Sequence, residues 1–548
     1  MHSGACMERN PEMTFATLRA VREAAQGGDH AHAAALARAA IADGLEHPLL
    51  FNVLALRLEQ QGQLAEAEQL LKRALQIAPA DTGAHNALGL LLLQLERPQE
   101  ALTHFQALLD LNPGLPYVHA GCGDALRALG SISDAETRYR RALELDPNQG
   151  IALAGLANIA SRRGAYSEAQ AWGEKALGVL PGFPDAVMSV AAAELGQRQV
   201  ARAEARVRDL LSHARLSPLE HAYAHGLLGD ILDAAGRPAD AFSAYSDCNS
   251  QLQRLYAPRF REDMSALEYV QGMRRHFERV APQVWRSAAP ATEPSPAARH
   301  VFLLGFPRSG TTLLEVILEG HPDVVSLEEH ELLSESVREF MRRPEYLERL
   351  PAAGAPTLAR LRADYWRRVA RAATNVAGKV FLDKYPLNTL KLPLIGRLFP
   401  HAKILFACRD PRDVVLSCFR HRFRMSAPIY ELLTLEGAAR YYDAVMQLLV
   451  CFTSVLNLDI CLVRHEDLVT GFAREMKRVC DHLGLAWAPA MGDFALRTKQ
   501  RPVLTPSTAQ LVRGLNTEGV GQWRRYQAAI ESVFPILDPW VKRFYFDA

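Results

Sequence analysis

Between Val301 and Thr312 the chain reads V-F-L-L-G-F-P-R-S-G-T-T: a short apolar run, a turn holding Gly and Pro, then an apolar-periodic stretch that stops at Gly320. A strand that feeds a tight loop and opens a helix presents backbone N–H groups and a positive helix end to a phosphate. Gly305 and Gly310 keep the G-x-x-x-x-G spacing of a Walker A loop, but Thr311 stands where a nucleotide triphosphatase needs lysine to reach the β- and γ-phosphates. The loop therefore suits an anion other than Mg-ATP.

Such a loop needs a sheet to carry it. Three further runs have the apolar, β-branched and aromatic content of buried strands: residues 379–384, 403–409 and 459–464. Long helical stretches separate them, which predicts a parallel sheet flanked by helices. Functional groups of such sheets gather at the carboxyl ends of the strands. The polar residues fall there: Arg308, Lys384, Arg409-Asp410 and His465-Glu466-Asp467.

The N-terminal half follows a different rule. Pro79, Pro113, Pro147 and Pro181 recur every 34 residues, and so do the small residues Ala55, Gly89, Gly123, Ala157 and Ala191. A third series, Ala33, Ala67, Ala101, Ala135, Ala169 and Ala203, keeps the same step. Small side chains let two helices cross closely, and Pro ends the second helix because it lacks an N–H and crowds the preceding turn. The pattern resembles the tetratricopeptide repeat, which implies a superhelix with a concave groove suited to docking a protein or to self-association as a homodimer. The array is expected over about 14–255, with a four-residue insertion between Ala191 and Gly229 and trailing helix to 285. Residues 286–298, rich in Ala and Pro, read as a linker to a catalytic domain at 299–548.

Composition removes several classes. Among 548 residues, 62 Lys and Arg balance 61 Asp and Glu, so no global field points to nucleic acid or an anionic membrane. No apolar run reaches the roughly 18–20 residues of a membrane span. Met1 to Met13 lack the apolar core of a secretory leader, and the eight cysteines are scattered without a C-x-x-C pair. A cytoplasmic protein with reduced thiols, and neither disulfides nor a metal site, is the expectation.

Within the C-terminal half, P-R-S-G-T-T at 307–312 resembles the 5′-phosphosulfate loop of sulfotransferases, and C-R-D-P-R-D-V-V-L-S at 408–417 resembles their 3′-phosphate motif. V-R-H-E-D-L at 463–468 is similar to the family's R-Y-E-D-L strand end, with His465 where Tyr is common. G-V-G-Q-W-R-R-Y at 519–526 resembles the nucleotide-covering loop, and H-P-D-V-V-S-L-E-E-H at 321–330 leans toward the tyrosylprotein branch. The resemblance implies an all-α tetratricopeptide-repeat superhelix followed by an α/β, P-loop-like sulfotransferase domain with a parallel sheet. The co-substrate implied is 3′-phosphoadenosine 5′-phosphosulfate (PAPS), used without a metal. Arg308, Ser309, Gly310, Thr311 and Thr312 would bind its 5′-phosphosulfate, Arg409 and Ser417 its 3′-phosphate, while Trp523 and Arg524 cover the nucleotide. Glu329 takes the role of general base, with His330 a rival, and Lys384 that of stabilising the transferring sulfuryl group, with Ser507 a weaker candidate. The acceptor is a protein, peptide or other hydroxyl. Two other readings stay open: a P-loop kinase or NTPase using Asp383 as its Walker B acid, and a repeat scaffold carrying an inactive transferase domain.

Overall fold

The computed structural model describes residues 11–213, 216–260, 263–286, 295–372, 375–500, 511 and 514–545. Most of the stretch expected as a linker, and Ser507, lie outside these residues. The chain divides into two compact units, one of Met1–Ser161 with Ala165–Glu194 and the other of Arg162–Gly164 with Leu195–Ala548.

The first unit is a run of helical hairpins. Helices open at Pro48, Thr82, Pro116, Gly150 and Pro184, each 34 residues after the last, and partners open at Leu64, Pro98, Ile132 and Tyr166. The periodic prolines fall just beyond the helices that end at Ile77, Leu111, Leu145 and Val179. At Gly123 a Cβ would lie 2.4 Å from the ring of Tyr139, so the aromatic ring of one helix occupies the space that a side chain on its partner would need. The same approach recurs where a Cβ at Gly89 would lie 2.6 Å from Phe105, and Phe105 packs there with Leu88, Leu92, Leu108 and Val118 in a continuous core, each large side chain contributing roughly 1.5–3 kcal/mol.

The second unit opens with helices of the same kind. Helix α1 (Pro218–Ala234) starts 34 residues after Pro184 but has 17 residues where the earlier first helices have 13 or 14. The insertion is thus about one extra helical turn, which keeps the same face toward α2 (Pro238–Phe260). The close approach recurs here, since a Cβ at Gly229 would lie 2.5 Å from Tyr245.

After these helices comes a five-stranded parallel sheet of order β2-β3-β1-β4-β5. Its strands are β1 (Arg299–Gly305), β2 (Val324–Glu328), β3 (Val380–Lys384), β4 (Lys403–Cys408) and β5 (Asp459–Arg464). Four match the runs expected from sequence, and β2 is an addition. The register pairs Leu303 and Glu328 with Lys384, Gly305 with Ala407, and Cys408 with Arg464, so the carboxyl ends finish level. Alternation along β1 sends Val301 and Leu303 into an aliphatic core with Leu314, Ile317, Leu405 and Val463, and His300 and Phe302 toward Tyr365, Phe381 and Phe399 on the other face. Because β3 and β4 flank β1 on opposite sides, the loop after β1 lies at the switch point where an open α/β sheet forms its crevice.

Candidate active site

The loop after β1 leads into α3 (Thr311–Leu318), whose N-terminus no side chain caps. Gly310 takes φ +96°, and a Cβ there would lie 2.9 Å from His465 Nδ1, so only glycine fits between helix start and imidazole. Ser309, Thr311 and Thr312 are buried beneath the loop. Thr389 Oγ1 donates to the Gly305 carbonyl at 2.8 Å and Arg409 Nη1 to the Arg308 carbonyl at 3.3 Å, which fixes the loop from behind. Arg308 and Glu329 are non-glycine residues with positive φ, 70° and 45°. Conformations of this kind cost roughly 1–3 kcal/mol each and persist where surrounding structure enforces them.

Helix α4 (Pro411–Arg420) carries the second motif. Asp410 caps it through the Arg412 amide at 2.9 Å, and Ser417 on its face accepts a hydrogen bond from Arg308 Nε at 3.0 Å. Arg409, at the end of β4, donates to the Gly519 carbonyl, which brings the C-terminal loop to the same place. Burial lowers the Arg308 guanidinium to about 10, and Arg409 and Arg420 add repulsion. Burial also brings His465 down to about 3, so the imidazole between Gly310 and Gly519 is neutral. Among the described residues, Arg409 Nε and His465 Nδ1 are buried polar atoms without a hydrogen-bond partner. Compressed positive charge, a free helix N-terminus and unsatisfied polar atoms fit an anionic ligand with phosphate groups.

Beside this cluster lies a charge group built on Lys384. Its ammonium is fully buried and sits 2.8 Å from Glu329 Oε1, 3.3 Å from Glu328 Oε1 and 3.3 Å from Glu315 Oε2. The Glu329 amide donates to the Lys384 carbonyl at 2.8 Å, so the ladder between β2 and β3 places the carboxylate opposite the lysine. Burial works against the lysine's charge, but Glu315, Glu328 and Glu329 outweigh it and raise its pKa. Burial pushes Glu315 up to about 8 while Lys384 pulls it back. Glu315 is the most buried of the three carboxylates facing this ammonium, and burial is the main cause of its raised proton affinity. His330 is exposed and turns its Nδ1 to the Glu328 carbonyl at 2.7 Å.

Asp383, the neighbouring residue, points to the opposite face of the sheet. It is fully buried, accepts from the Tyr365 hydroxyl at 2.7 Å, and is pushed up to about 7 by burial. A Walker B acid must reach metal-bound phosphate at the strand end, and this carboxylate is enclosed in the core.

The segment 519–526 folds against α4. Asp413 accepts from the amides of Gly521 and Trp523 at 2.7 and 2.8 Å. Trp523 is 9% exposed, with Arg412 4.0 Å from its ring centre, Arg524 at 5.1 Å and Phe534 edge-on at 5.5 Å. The structure therefore brings Arg308, Ser417 and Arg409 together, pairs Lys384 with Glu329 next to them, and sets Arg412 and Arg524 against the Trp523 ring. Two site residues escape the sequence reading. Glu315 is a lone acid in an otherwise apolar helix, and Asp413 is the second acid of D-P-R-D; neither type nor spacing separates them from surface carboxylates. Among the described residues no group of three or more His, Cys, Asp or Glu could hold a metal ion, and no helix is long and apolar enough to cross a membrane.

Residues 300–489 match the model of the Sulfotransferase family, and residues 18–82, 58–125 and 92–159 match models of the tetratricopeptide repeat. Protein-tyrosine sulfotransferase 2 of Gallus gallus is 24% identical over 244 residues, 41% of this chain and 62% of that protein. Protein-tyrosine sulfotransferase 1 of Danio rerio is 23% identical over 270 residues, 45% of this chain and 72% of that protein. An uncharacterized protein of Aquifex aeolicus is 26% identical over 260 residues, 45% of this chain and 33% of that protein. The chain thus spans between a third and three quarters of the length of these relatives.

Proposed function

From a sulfotransferase-family region preceded by tetratricopeptide repeats, we propose that this chain transfers the sulfuryl group of PAPS to an acceptor hydroxyl. The observation that carries the reading is the buried Lys384 ammonium 2.8 Å from the solvent-reaching Glu329 carboxylate, beside the cluster of Arg308, Ser417 and Arg409. The amides at the start of α3 and Arg308, with Ser309, Thr311 and Thr312 beneath, would hold the 5′-phosphosulfate. Arg409 and Ser417 would hold the 3′-phosphate. Trp523 and Arg524 would close the nucleotide side.

In the transfer, the acceptor oxygen attacks sulfur while its proton passes to the Glu329 carboxylate. The bond from sulfur to the bridging phosphate oxygen breaks, and its electron pair leaves with adenosine 3′,5′-bisphosphate. Lys384 meets the negative charge that grows on that oxygen. General-base assistance of this kind is worth roughly 10²–10⁴-fold. No metal is needed, because two arginines, a lysine and a helix N-terminus supply the positive charge.

The acceptor proposed is a tyrosine of a protein or peptide docked by the repeats. Its support is the two relatives named protein-tyrosine sulfotransferases and the helical array itself. The kinase reading is disfavoured by Thr311 after the second loop glycine and by enclosed Asp383. Incubation with sulfur-labelled PAPS and tyrosine peptides, followed by mass spectrometry, tests the proposal. Label on a tyrosine oxygen is the expected result; label that stays in PAPS with every acceptor tried would leave a scaffold with an inactive domain.

A further inference from the structure

Asp233, near the end of α1, faces two segments of the donor pocket that are far apart in sequence. Its Oδ1 accepts from the Tyr526 hydroxyl at 2.7 Å and lies 2.9 Å from Arg525 Nη2, and its backbone carbonyl accepts from the same arginine at 3.0 Å. Its Oδ2 pairs with Arg420, the last residue of α4. The guanidinium of Arg420 also stands over the rings of Tyr245 on α2 and Tyr526, at 5.3 and 5.1 Å. One turn earlier, Asp230 accepts from Tyr245 at 3.0 Å and pairs with Arg422. Asn249 on α2 donates to the Phe419 carbonyl at 2.8 Å, a buried bond.

These contacts meet on the element that carries Ser417 and the loop that carries Trp523. The loop is held to α4 at one end by Asp413, through the amides of Gly521 and Trp523. At the other end Asp233 holds residues 525 and 526 and, through Arg420, the same helix. Trp523 sits at the Asp413 anchor, two residues before the segment that Asp233 holds. Asp233 and Arg420 have side-chain exposures of 15% and 21%, so that pair is largely out of water, where removing one partner is costly, while Arg525 is the more exposed partner.

We propose that Asp233 is a positioning residue for the donor: the α1–α2 hairpin sets the spacing between helix α4 and loop 519–526 and so holds the PAPS pocket closed. The inference rests on the donor reading above. It makes this repeat-like hairpin part of the transferase rather than of the docking array.

The test uses the full chain and adenosine 3′,5′-bisphosphate. Asp233→Asn is expected to weaken binding of the bisphosphate, and to raise KM for PAPS, by roughly tenfold, with the acceptor KM unchanged. Tyr526→Phe removes one of the donors to Asp233 and is expected to give a smaller rise of the same kind. Hydrogen exchange of residues 519–526 is expected to accelerate in both variants with no nucleotide present. Equal donor affinity and equal exchange in both folded variants would overturn the proposal, as would a rise in acceptor KM matching that for PAPS. If Asp233→Asn fails to fold, Tyr526→Phe decides alone by the same readouts. If the parent chain binds no bisphosphate, the donor reading falls, and exchange of 519–526 still decides whether Asp233 holds the loop.

Discussion

Replacing Lys384 by Met isolates the most concentrated electrostatic feature of the protein. The lysine side chain is 0% exposed and faces Glu315 at 4%, Glu328 at 40% and Glu329 at 51%. Pairs as exposed as the last two contribute about 0–1 kcal/mol each. Glu315 decides the outcome, because an unpaired buried charge costs about 3–5 kcal/mol. That loss is expected for Lys384→Met well above pH 8, at about pH 10, where the parent's Glu315 is ionised against its lysine and the variant's is not. Its sign with pH follows from Glu315, whose folded pKa of about 8 lies above the unfolded value of roughly 4.3. The folded state holds the extra proton, so the group's stabilisation is full below the unfolded pKa and lost as pH rises through the folded one. Without the lysine that folded pKa rises further, and the penalty shrinks on acidification. Glu315→Gln in the same chain is expected to recover at least half of the loss at about pH 10. Denaturant unfolding followed by tryptophan fluorescence suits the measurement, since five of the six tryptophans lie beyond residue 194 and report the second unit. Equal unfolding midpoints for parent and Lys384→Met at about pH 10, or no recovery with Glu315→Gln there, would refute the reasoning.

Three further outcomes are expected. Glu329→Gln should lower kcat by roughly 10²–10⁴-fold while the affinity for adenosine 3′,5′-bisphosphate, read by calorimetry, stays constant; loss of that affinity instead would move Glu329 into the donor site. Arg409→Gln should weaken adenosine 3′,5′-bisphosphate by about 1.5–3 kcal/mol, the range for a hydrogen bond to a charged group, and adenosine 5′-phosphosulfate by clearly less, since Arg409 reaches that loop through the Arg308 carbonyl; equal losses for both ligands would detach Arg409 from the 3′-phosphate. Burial holds His300 near a pKa of about 3, against roughly 6.5 unfolded, so its contribution is full above pH 6.5 and is lost as pH falls toward 3. His300→Phe should flatten the fall of the melting temperature across that window, with His421 and His465, also lowered by burial, retaining part of the slope; an unchanged slope counts against a buried neutral imidazole.

The period of 34 and the strand–loop–helix at 301–318 are legible because each rests on local rules: small residues at helix crossings, and a glycine where the backbone must turn. Strand β2 is not, because it has five residues, pairs only with β3 at the sheet edge, and shows no clean alternation of buried and exposed positions. Its register matters most for chemistry, since it sets Glu328 opposite Lys384 and Glu329 just beyond. Glu315 is hidden for a related reason: its partners come from β2 and β3, and only the assembled sheet brings them within 3.3 Å. The four-residue insertion reads as a break in the period but is an extra helical turn, a difference that depends on α1 packing against α2. Asp233 shows the same limit, with its partners about 190 to 290 residues away.

Sulfur-labelled PAPS incubated with the full chain and a tyrosine peptide, without added metal, tests the central claim most directly. Label on the peptide that depends on Glu329 and Lys384, with stoichiometric release of adenosine 3′,5′-bisphosphate, is the expected result. Mg-dependent ATP binding, with neither binding nor turnover of PAPS, would contradict it.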